Sequence, residues 1–519
     1  MLKKFRESYI SHKIDIMQRS VFYRFSLEKR GNALDSDKFL TDPWFGNSAI
    51  GRDILDGIIG NSGIRSDLTE IFSTDENDEY THNFSWIRNL QAVGGNSSMR
   101  LTRDLILMFI SNYRKTKSFW LSNSWSMEVS GERIINWMFS YSFYASGSND
   151  AFQKAILSSM TEQFSHLWKS YRAESNMYSR LIALKAILAY LCAMKNIPHS
   201  KVRKIIKEIG LAVEDLLDTA GMALSRNPIE HFNIFKSLIE TRFIAKNLGI
   251  ALPKHVFSDN LAKMAACIRF LRLGDGGISG HIGWGKSPST GLIPGRQMID
   301  TALSVVEFKA NLAVTIPGFT RLSSKKIILI VNTLPCYVRS HFTPPTSPGL
   351  NIFDFEASFG LNRLINRADI SILINGICIK ITSKANYFSK IQHGRGELHF
   401  IGEIQQTSRH FGLRIQREFI IDLNKEKIKG RDTISTSDNC QTFPRFVFDQ
   451  KAIIKEIHSR SVLITVGNAE YIFSVFQRTQ NCELFIIKDA ENTYPTIEIG
   501  HSRNNGNDTI IEWIIELNL

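Results

Sequence analysis

The chain has 519 residues, of which 43% are hydrophobic and 22% are charged, with 33 glycines and 13 prolines. This composition excludes a disordered, collagen-like or low-complexity protein, and a chain beyond roughly 300 residues is expected to form two domains. The 63 basic and 50 acidic side chains give a formal net charge of +13, which favours a polyanionic partner such as acidic glycan, nucleic acid or anionic lipid.

The six cysteines lie far apart without a Cys-x-x-Cys pair, and the histidines show no His-Glu-x-x-His spacing, so we expect no metal site. The N-terminus is basic, but the apolar segment of a secretory signal peptide does not follow it. No segment reaches the roughly 18 uninterrupted apolar residues of a transmembrane helix. The sequence therefore predicts no transmembrane segment. Because no secretory signal peptide is recognised, the cytoplasm is one expected location.

Residues 1–79 are interpreted as a basic N-terminal extension. From residue 80 to about residue 310, apolar side chains recur at helical spacing. Clear examples are 101–115, 180–195 and 201–221. A long series of antiparallel helices joined by short loops predicts an all-α bundle, solenoid or toroid.

Over 311–519 the pattern changes to short β-rich runs such as KKIILIVNT, RSVLITVG and TIIEWIIEL. Turn signals such as Asn375-Gly376 and Gly467-Asn468 separate these runs at nearly regular intervals. This pattern is typical of an antiparallel β-sandwich. The predicted fold class is therefore α+β multidomain, with the helical domain first and the sandwich second.

Gly280–Ser287 reads GHIGWGKS and matches the phosphate-binding pattern G-x-x-x-x-G-K-[ST]. That motif needs a preceding buried strand and a helix that begins at the lysine, so that backbone amides converge on phosphate. The flanking sequence predicts neither element, because Pro288 and a glycine-rich stretch follow the motif. We therefore expect a loop here and no bound nucleotide.

The stretch 124–141 places Glu128, Arg133, Asn136 and Trp137 in an otherwise apolar helix. One interpretation is a core helix with solvated charges. The pattern Met-Glu-Val, Arg and Asn-Trp also resembles the M-E-V-x-x-x-R-x-x-N-W helix of the heparinase II/III family of polysaccharide lyases. Further similar pieces follow in the family's order: HNFSWIRNLQAVGG, GMALSRNPIEHF, FLRLGDGG, NIFDFEASFG and a closing EWIIEL.

The resemblance covers about residues 80–519 and implies an (α/α) toroid followed by an antiparallel β-sandwich. It also implies a cleft that binds acidic polysaccharide and cuts it beside a uronate by β-elimination, without a cofactor. In this reaction the carboxylate is neutralised, a base removes the proton at C5, and an acid protonates the leaving oxygen. The resemblance further implies a location in the cell envelope, in the periplasm.

Site residues are carried over one by one. The catalytic candidates are His231, Glu230, Asn176 and Tyr178, and the substrate-binding candidates are Glu128, Arg133, Asn136, Trp137, Arg226 and Asn227, with His281 added from a glycine-rich loop. The chain also departs from the family pattern. Met177 stands where a polar side chain is expected, and Glu230 stands in the place of a tyrosine acid. In the sandwich, Gly349 and Asn351 stand at about the positions where the resemblance implies a His near an Asp, and Ala368-Asp369 stands where an Ala-His pair usually opens the next strand.

These observations favour a heparinase II/III-like lyase for uronate-containing glycan whose activity is weakened or lost. The alternative is a non-catalytic protein that binds acidic glycan or takes part in envelope assembly. A nucleic-acid-binding protein ranks lower, because no recognisable nucleic-acid module is present, and we expect no nucleic-acid partner.

Overall fold

The computed structural model divides the chain into two compact units. The helical unit comprises Met1–Gly221, Phe232–Ala262 and Pro288–Phe308, and the β unit comprises Met222–His231, Lys263–Ser287 and Lys309–Leu519. The structure describes 12–20, 22–27, 34–57, 71–72, 79–279, 295–306, 315–333, 353–374, 377–378, 385–394, 396–407, 412–436, 438, 440–476, 482–487, 494–503 and 508–518.

The helices, in chain order, are α1 (12–19), α2 (Phe22–Leu27), α3 (Ser48–Leu55), α4 (Glu79–Asn83), α5 (Ile87–Val93), α6 (Gly95–Lys115), α7 (Met127–Phe139), α8 (Tyr141–Ala145), α9 (Asp150–Ser170), α10 (Met177–Cys192), α11 (His199–Leu216), α12 (Pro228–Asn247), α13 (Asn260–Leu271) and α14 (Arg296–Ser304). The three helices predicted from periodicity correspond to α6, α10 and α11. No helix in the described part of the chain combines the length and the apolar character needed to cross a membrane.

Helices α7 and α10 form the centre of the helical unit, and nearly every residue of both is buried. Their backbones approach closely at Gly131, where a Cβ atom would lie 3.0 Å from Ile182. On the other side of α7, Trp137 packs edge to face against Phe84 and Phe109 at centroid distances of 5.3 and 6.0 Å. This aromatic cluster fixes the orientation of α7 about its own axis.

The strands are β1 (Thr315–Ile316), β2 (Phe319–Ser323), β3 (Ile327–Asn332), β4 (Phe355–Phe359), β5 (Asn362–Ile374), β6 (Ile377–Cys378), β7 (Asn386–His393), β8 (Glu397–Thr407), β9 (Gly412–Asp422), β10 (Lys427–Thr436), β11 (Cys440–Phe448), β12 (Ile453–His458), β13 (Ser461–Val466), β14 (Ala469–Val475), β15 (Cys482–Ile487), β16 (Thr496–Arg503) and β17 (Thr509–Leu517). Among the described residues they form two antiparallel sheets. One has the order β1-β2-β3-β4-β5-β11-β16-β15 with β6 beside β5, and the other has the order β12-β13-β14-β17-β10-β9-β8-β7. An all-α part followed by antiparallel sheets confirms the predicted fold class.

The two sheets share one apolar core. Strands β8 to β10 alternate between buried and partly exposed side chains, as expected for strands with one face on a core. At the centre, Trp513 of β17 stacks on Phe355 of β4 at 5.7 Å and lies directly opposite Gly430 of β10. Gly430 has no side chain because the Trp513 ring occupies that space: a Cβ atom there would lie 2.1 Å from the ring.

We expect Gly430→Ala to lower the free energy of unfolding by about 1–3 kcal/mol, because the new methyl group overlaps a fully buried ring. Urea unfolding followed by Trp fluorescence measures the change. Gly412→Ala is the matched control, since a Cβ atom at this strand end meets nothing within 4 Å. Equal unfolding midpoints for the two variants would contradict this account of the sandwich core.

Candidate functional site

The helical unit contains a cavity of about 680 Å³, a volume in the usual range of a small-molecule or cofactor site. Its walls come from residues 45–50, from α4, α5, α7, α10 and α12, and from the start of α14. Most lining side chains are polar but uncharged or aromatic: Asn47, Asn83, Asn89, Asn233, Gln297, Ser48, Ser85, Ser237, Phe45, Tyr80, Tyr178 and Phe232. Among the described lining residues two side chains are basic, Arg88 and Lys236, and two are acidic, Glu128 and Glu132.

The segment before α3 forms one wall because it packs tightly on the backbone of α5. Added Cβ atoms at Gly46 and Gly51 would lie 1.9 and 2.2 Å from the carbonyl oxygens of Arg88 and Asn89. The Asn47 side chain caps α3 by accepting hydrogen bonds from two amides, and the Asn47 amide donates to the Asn89 side chain at 2.8 Å. Part of the wall thus comes from residues 45–50, which lie within the region assigned by the sequence analysis to an N-terminal extension.

Arg88 of α5 is one of the two cations among the described residues that line the cavity. Its Nε donates to Asp42 at 3.1 Å, and its Nη2 donates to the Asn136 side chain at 2.9 Å. Asn136 in turn donates from Nδ2 to the Asn83 carbonyl at 2.9 Å. Burial alone would lower the pKa of Arg88, but the carboxylates of Asp42, Glu240 and Glu132 together outweigh that effect and raise it, so the guanidinium stays charged.

Lys236 of α12 is the second cation, and it belongs to a buried ion network. Its Nζ lies 2.6 Å from Glu240 Oε1, while Glu240 Oε2 lies 2.5 Å from Lys185 Nζ. Lys185 also pairs with Glu132 of the cavity wall at 2.8 Å, and the Trp44 indole donates to Glu240 at 2.7 Å. The network therefore connects α7, α10 and α12 with the segment before α3.

The two fully buried members of this network, Lys185 and Glu240, hold each other in the charged form. Burial alone would raise the pKa of Glu240, but the ammonium groups of Lys185 and Lys236 outweigh it and keep that pKa well below its usual range. Burial alone would lower the pKa of Lys185, and the two carboxylates raise it instead. Lys185 and Glu240 are therefore both charged around neutral pH.

Two of the residues predicted for the site line the cavity: Glu128 and Tyr178. Glu128 lies in the first turn of α7 and accepts a hydrogen bond from the Ser179 hydroxyl at 3.2 Å. Tyr178 lies in the first turn of α10 and is 5% exposed. The fold brings the beginnings of these two helices together, so a carboxylate and a phenol share one cavity.

Arg133, predicted to bind substrate, is instead enclosed in the core of the helical unit. Its guanidinium donates to the Gln163 side chain at 2.8 Å and to the carbonyls of His82 and Ser124 at 2.9 Å each. It also lies over the Phe109 ring at 4.3 Å. The residue is fully buried and is not among the described residues that line the cavity, so its contacts in the structure all lie within the helical unit.

Three more predicted residues act behind or beside the cavity wall. Asn136 holds Arg88, as described above, and Trp137 belongs to the aromatic cluster. Asn176 is the N-cap of α10, and its Oδ1 accepts from the amides of Tyr178 and Ser179 at 2.9 and 3.4 Å. Because α10 begins directly after this cap, Met177 occupies an ordinary first helical position.

His231, predicted as a catalytic base, is fully buried in the β unit. Its Nδ1 accepts from the Ala223 amide at 3.2 Å, which places the ring proton on Nε2, 3.3 Å from the Met264 carbonyl. Both ring nitrogens are thus engaged with backbone, and His231 is not among the described residues that line the cavity.

Arg226 and Asn227, predicted to bind substrate, shape the turn that leads into α12. Arg226 adopts a left-handed φ of 58°, and its side chain donates to the Pro317 carbonyl at 2.7 Å. Asn227 Oδ1 accepts from the amides of Ile229 and Glu230 at the start of the helix. Both residues therefore serve local structure within the β unit.

Glu230, predicted as a catalytic acid, lies in the first turn of α12 and is 6% exposed. Burial raises the pKa of its carboxyl to about 7, against a smaller lowering by a hydrogen bond from Ser225. It does not line the cavity.

Several positions named in the sequence analysis lie outside the described residues: His281, the Gly280–Ser287 pattern, Gly349, Asn351 and Asn375-Gly376. Asp369 is described, and it pairs with Arg367 at 2.6 Å.

Sequence reasoning missed Arg88, Lys236 and the Lys185–Glu240 pair. Arg88 stands in HNFSWIRNLQAVGG, one of the pieces that carried the family resemblance, so a signal for it was present. Lys236 and Lys185 had no such signal. A lysine within a helix is normally predicted to be exposed to solvent. Glu240, the partner of Lys185, is 55 positions away from it in the sequence.

We expect Arg133→Met to lower the free energy of unfolding by about 2–4 kcal/mol, because several buried acceptors lose their donor. Thermal and urea unfolding measure the loss. Arg100→Met, an exposed arginine on α6, should change stability little. If Arg133→Met unfolded like the wild type and lost only ligand binding, the structural role would be refuted.

The raised pKa of Glu230 predicts that the stability of the protein depends on pH. Its folded-state pKa of about 7 exceeds the ordinary value of 4.5, so the stability contributed by the neutral carboxyl is complete below about pH 4.5 and is lost as pH rises through about 7. The loss amounts to roughly 3 kcal/mol. In urea unfolding, the unfolding free energy of Glu230→Gln relative to wild type should therefore rise by about that much from pH 5 to pH 8. Glu214→Gln, which removes an exposed carboxylate on α11, should show no such rise relative to wild type.

No protein-family model and no curated protein sequence matches the chain. Among solved structures, a crystal structure of heparinase III aligns with a TM-score of 0.61 at 12% identity, covering 95% of this chain and 88% of that chain. A heparinase III gene product aligns with a TM-score of 0.55 at 12% identity, covering 99% and 89%. Heparan sulfate lyase HepC from Pedobacter heparinus aligns with a TM-score of 0.50 at 12% identity, covering 99% and 88%. The chain thus has the (α/α) toroid and β-sandwich fold of heparinase III, which confirms the predicted resemblance at the level of the fold.

Proposed function

We propose that the chain binds a uronate-containing polysaccharide in the cavity of the helical unit and cleaves it slowly by β-elimination. The observation that carries this proposal is the shared position of four side chains. Arg88, Lys236, Glu128 and Tyr178 all line one cavity in a chain with the fold of heparinase III. They supply two cations, a carboxylate and a phenol, which are the group types that this reaction uses.

Binding is supported by the match between the lining and a sugar chain. Arg88 and Lys236 offer charge-assisted hydrogen bonds to a uronate carboxylate. Asn233, Gln297 and Ser237 offer amide and hydroxyl groups to sugar hydroxyls. Aromatic rings also line the cavity, where the apolar face of a sugar ring gains contact area. The large exposed fraction of Phe45, 65%, places such a ring at the edge of the site.

The chemistry would proceed through proton transfer by two residues. Arg88 and Lys236 neutralise the uronate carboxylate, which makes the C5 proton more acidic. The Glu128 carboxylate accepts that proton, the electron pair forms the C4–C5 double bond, and the C4–O bond breaks. The Tyr178 hydroxyl donates its proton to the leaving oxygen. No external oxidant or reductant enters this balance.

The second candidate is binding without turnover, in glycan capture or envelope assembly. It is favoured by the contacts of two residues that the family resemblance assigns to catalysis. Asn176 is committed to capping α10 and His231 is enclosed by backbone, so neither is available to substrate. Under either candidate we propose that the chain works on glycans of the cell envelope, where acidic polysaccharides of this kind are found.

We expect Tyr178→Phe to reduce formation of the 4,5-unsaturated uronate product by about 10²-fold or more, the usual scale of a lost general acid. Glycan binding should change little, because the ring and its contacts remain. Near-ultraviolet absorbance follows the product, and titration calorimetry follows binding to a panel of uronate polymers.

Tyr190→Phe is the matched control, since Tyr190 lies on the same helix but bonds Thr161 and does not line the cavity. Product formation that survives Tyr178→Phe would refute the assigned acid. Wild-type binding without any unsaturated product would select the non-catalytic candidate, and absence of binding to every uronate polymer would refute the proposal.

A further inference from the structure

We infer that Asp42 and Trp44, in the segment before α3, are positioning residues of the cavity. They contact and hold Arg88 and Lys236, the two basic side chains among the described lining residues. Through these cations they determine where a uronate carboxylate is bound. The inference rests on the proposed function, which gives Arg88 and Lys236 that carboxylate as their ligand.

Asp42 fixes the guanidinium of Arg88. Its Oδ2 accepts from Arg88 Nε at 3.1 Å, while its Oδ1 accepts from the Trp44 amide at 2.9 Å. The Asp42 amide donates to the carbonyl of Phe139, the last residue of α7, at 3.2 Å. The Asp42 carboxylate is therefore held by its own turn and by α7, and its side chain is 4% exposed. Because the donors of a planar guanidinium have a fixed geometry, this contact and the one to Asn136 set the orientation of the Arg88 group.

Trp44 holds Lys236 in two ways. The ammonium group of Lys236 lies over the Trp44 ring, 5.7 Å from its centroid. The Trp44 indole also donates to Glu240 Oε1 at 2.7 Å, and the same oxygen lies 2.6 Å from Lys236 Nζ. Trp44 thus contacts the lysine directly and also orients the carboxylate that pairs with it. Trp44 is buried and is not among the described lining residues, so it acts through Lys236.

A short piece of chain therefore holds both cations. Asp42 and Trp44 are separated only by Pro43, whose ring restricts the backbone between them. The backbone that follows packs closely on α5, since a Cβ atom at Gly46 would lie 1.9 Å from the Arg88 carbonyl oxygen. The two cations are thus placed relative to each other before a ligand binds. Side chains that are already held lose little conformational entropy on binding, and a carboxylate shared by two cations requires accurate placement of both.

The test measures the preference of the cavity for a carboxylate. Desulfated chondroitin and fully desulfated, N-acetylated heparin carry the uronate carboxylate as their only charge, so carboxyl reduction makes each polymer neutral. Titration calorimetry compares the acidic and the reduced forms on the whole chain carrying Tyr178→Phe, which slows cleavage. We expect the acidic form of at least one polymer to bind about tenfold more tightly than its reduced form. Equal affinity for the two forms would refute the role of the two cations and, with it, the inference.

Two further variants in the same background test the positioning. Asp42→Glu keeps the charge but moves the carboxylate by one methylene group, and Trp44→Phe keeps an aromatic ring but removes the donor to Glu240. We expect each variant to reduce the preference for the acidic form by about threefold or more, because Arg88 or Lys236 is no longer held in place. Affinity for the reduced form should stay unchanged. A role in stability alone would leave the preference as it is.

The matched controls are Asp53→Glu, at an exposed carboxylate on α3, and Trp168→Phe, at a ring that lies 5.5 Å from the Lys201 ammonium group but is not among the described lining residues. Both should keep the preference. A preference undiminished in the Asp42 and Trp44 variants would overturn the inference while the proposed function stands. No binding of either acidic polymer would refute both. If thermal unfolding shows that Trp44→Phe does not fold, Asp42→Glu decides alone.

Discussion

The ammonium group of Lys185 is the constraint on which the helical unit depends. It lies fully buried on α10, where every other residue over 181–192 is hydrophobic, and a charge there is costly unless it is paired. Glu240 and Glu132 supply the pairing from two other helices. Removing one partner from a buried pair typically costs about 3–5 kcal/mol, so the three helices must keep their mutual positions. Trp44 extends the same constraint to the segment before α3.

This constraint also gives the cavity its chemistry. Glu132 and Lys236 line the cavity while their charged ends are tied to buried partners, so both are held before any ligand arrives. Preorganised groups lose little conformational entropy on binding. The same pairing places carboxylates beside Lys185 and Lys236, although the chain as a whole carries a net charge of +13. Net charge describes how the whole chain meets a polyanion at long range, whereas the lining decides which anion stays.

The fold could be predicted because its signals are local. Apolar side chains at helical spacing define α6, α10 and α11, and short β-rich runs define β3, β13 and β17. The sequence also contains a signal for the cap of α10, because Asn176 stands directly before an apolar run, as an N-cap residue does. This interpretation is an alternative to the prediction that Asn176 is a polar catalytic residue. Strands such as β7 and β12 were missed, because their side chains are largely exposed and carry little alternation.

The site was harder to predict because one motif serves two faces of α7. Glu128, Glu132 and Asn136 follow each other at intervals of four and form the stripe that faces the cavity and Arg88. Arg133 and Trp137 form a second stripe, which enters the aromatic core. Each stripe holds charged or polar side chains, so periodicity separates the two faces without saying which one meets a ligand. That choice is made by partners far away in the chain, Asp42 for Arg88 and Gln163 for Arg133, and it appears only when the helices are packed together.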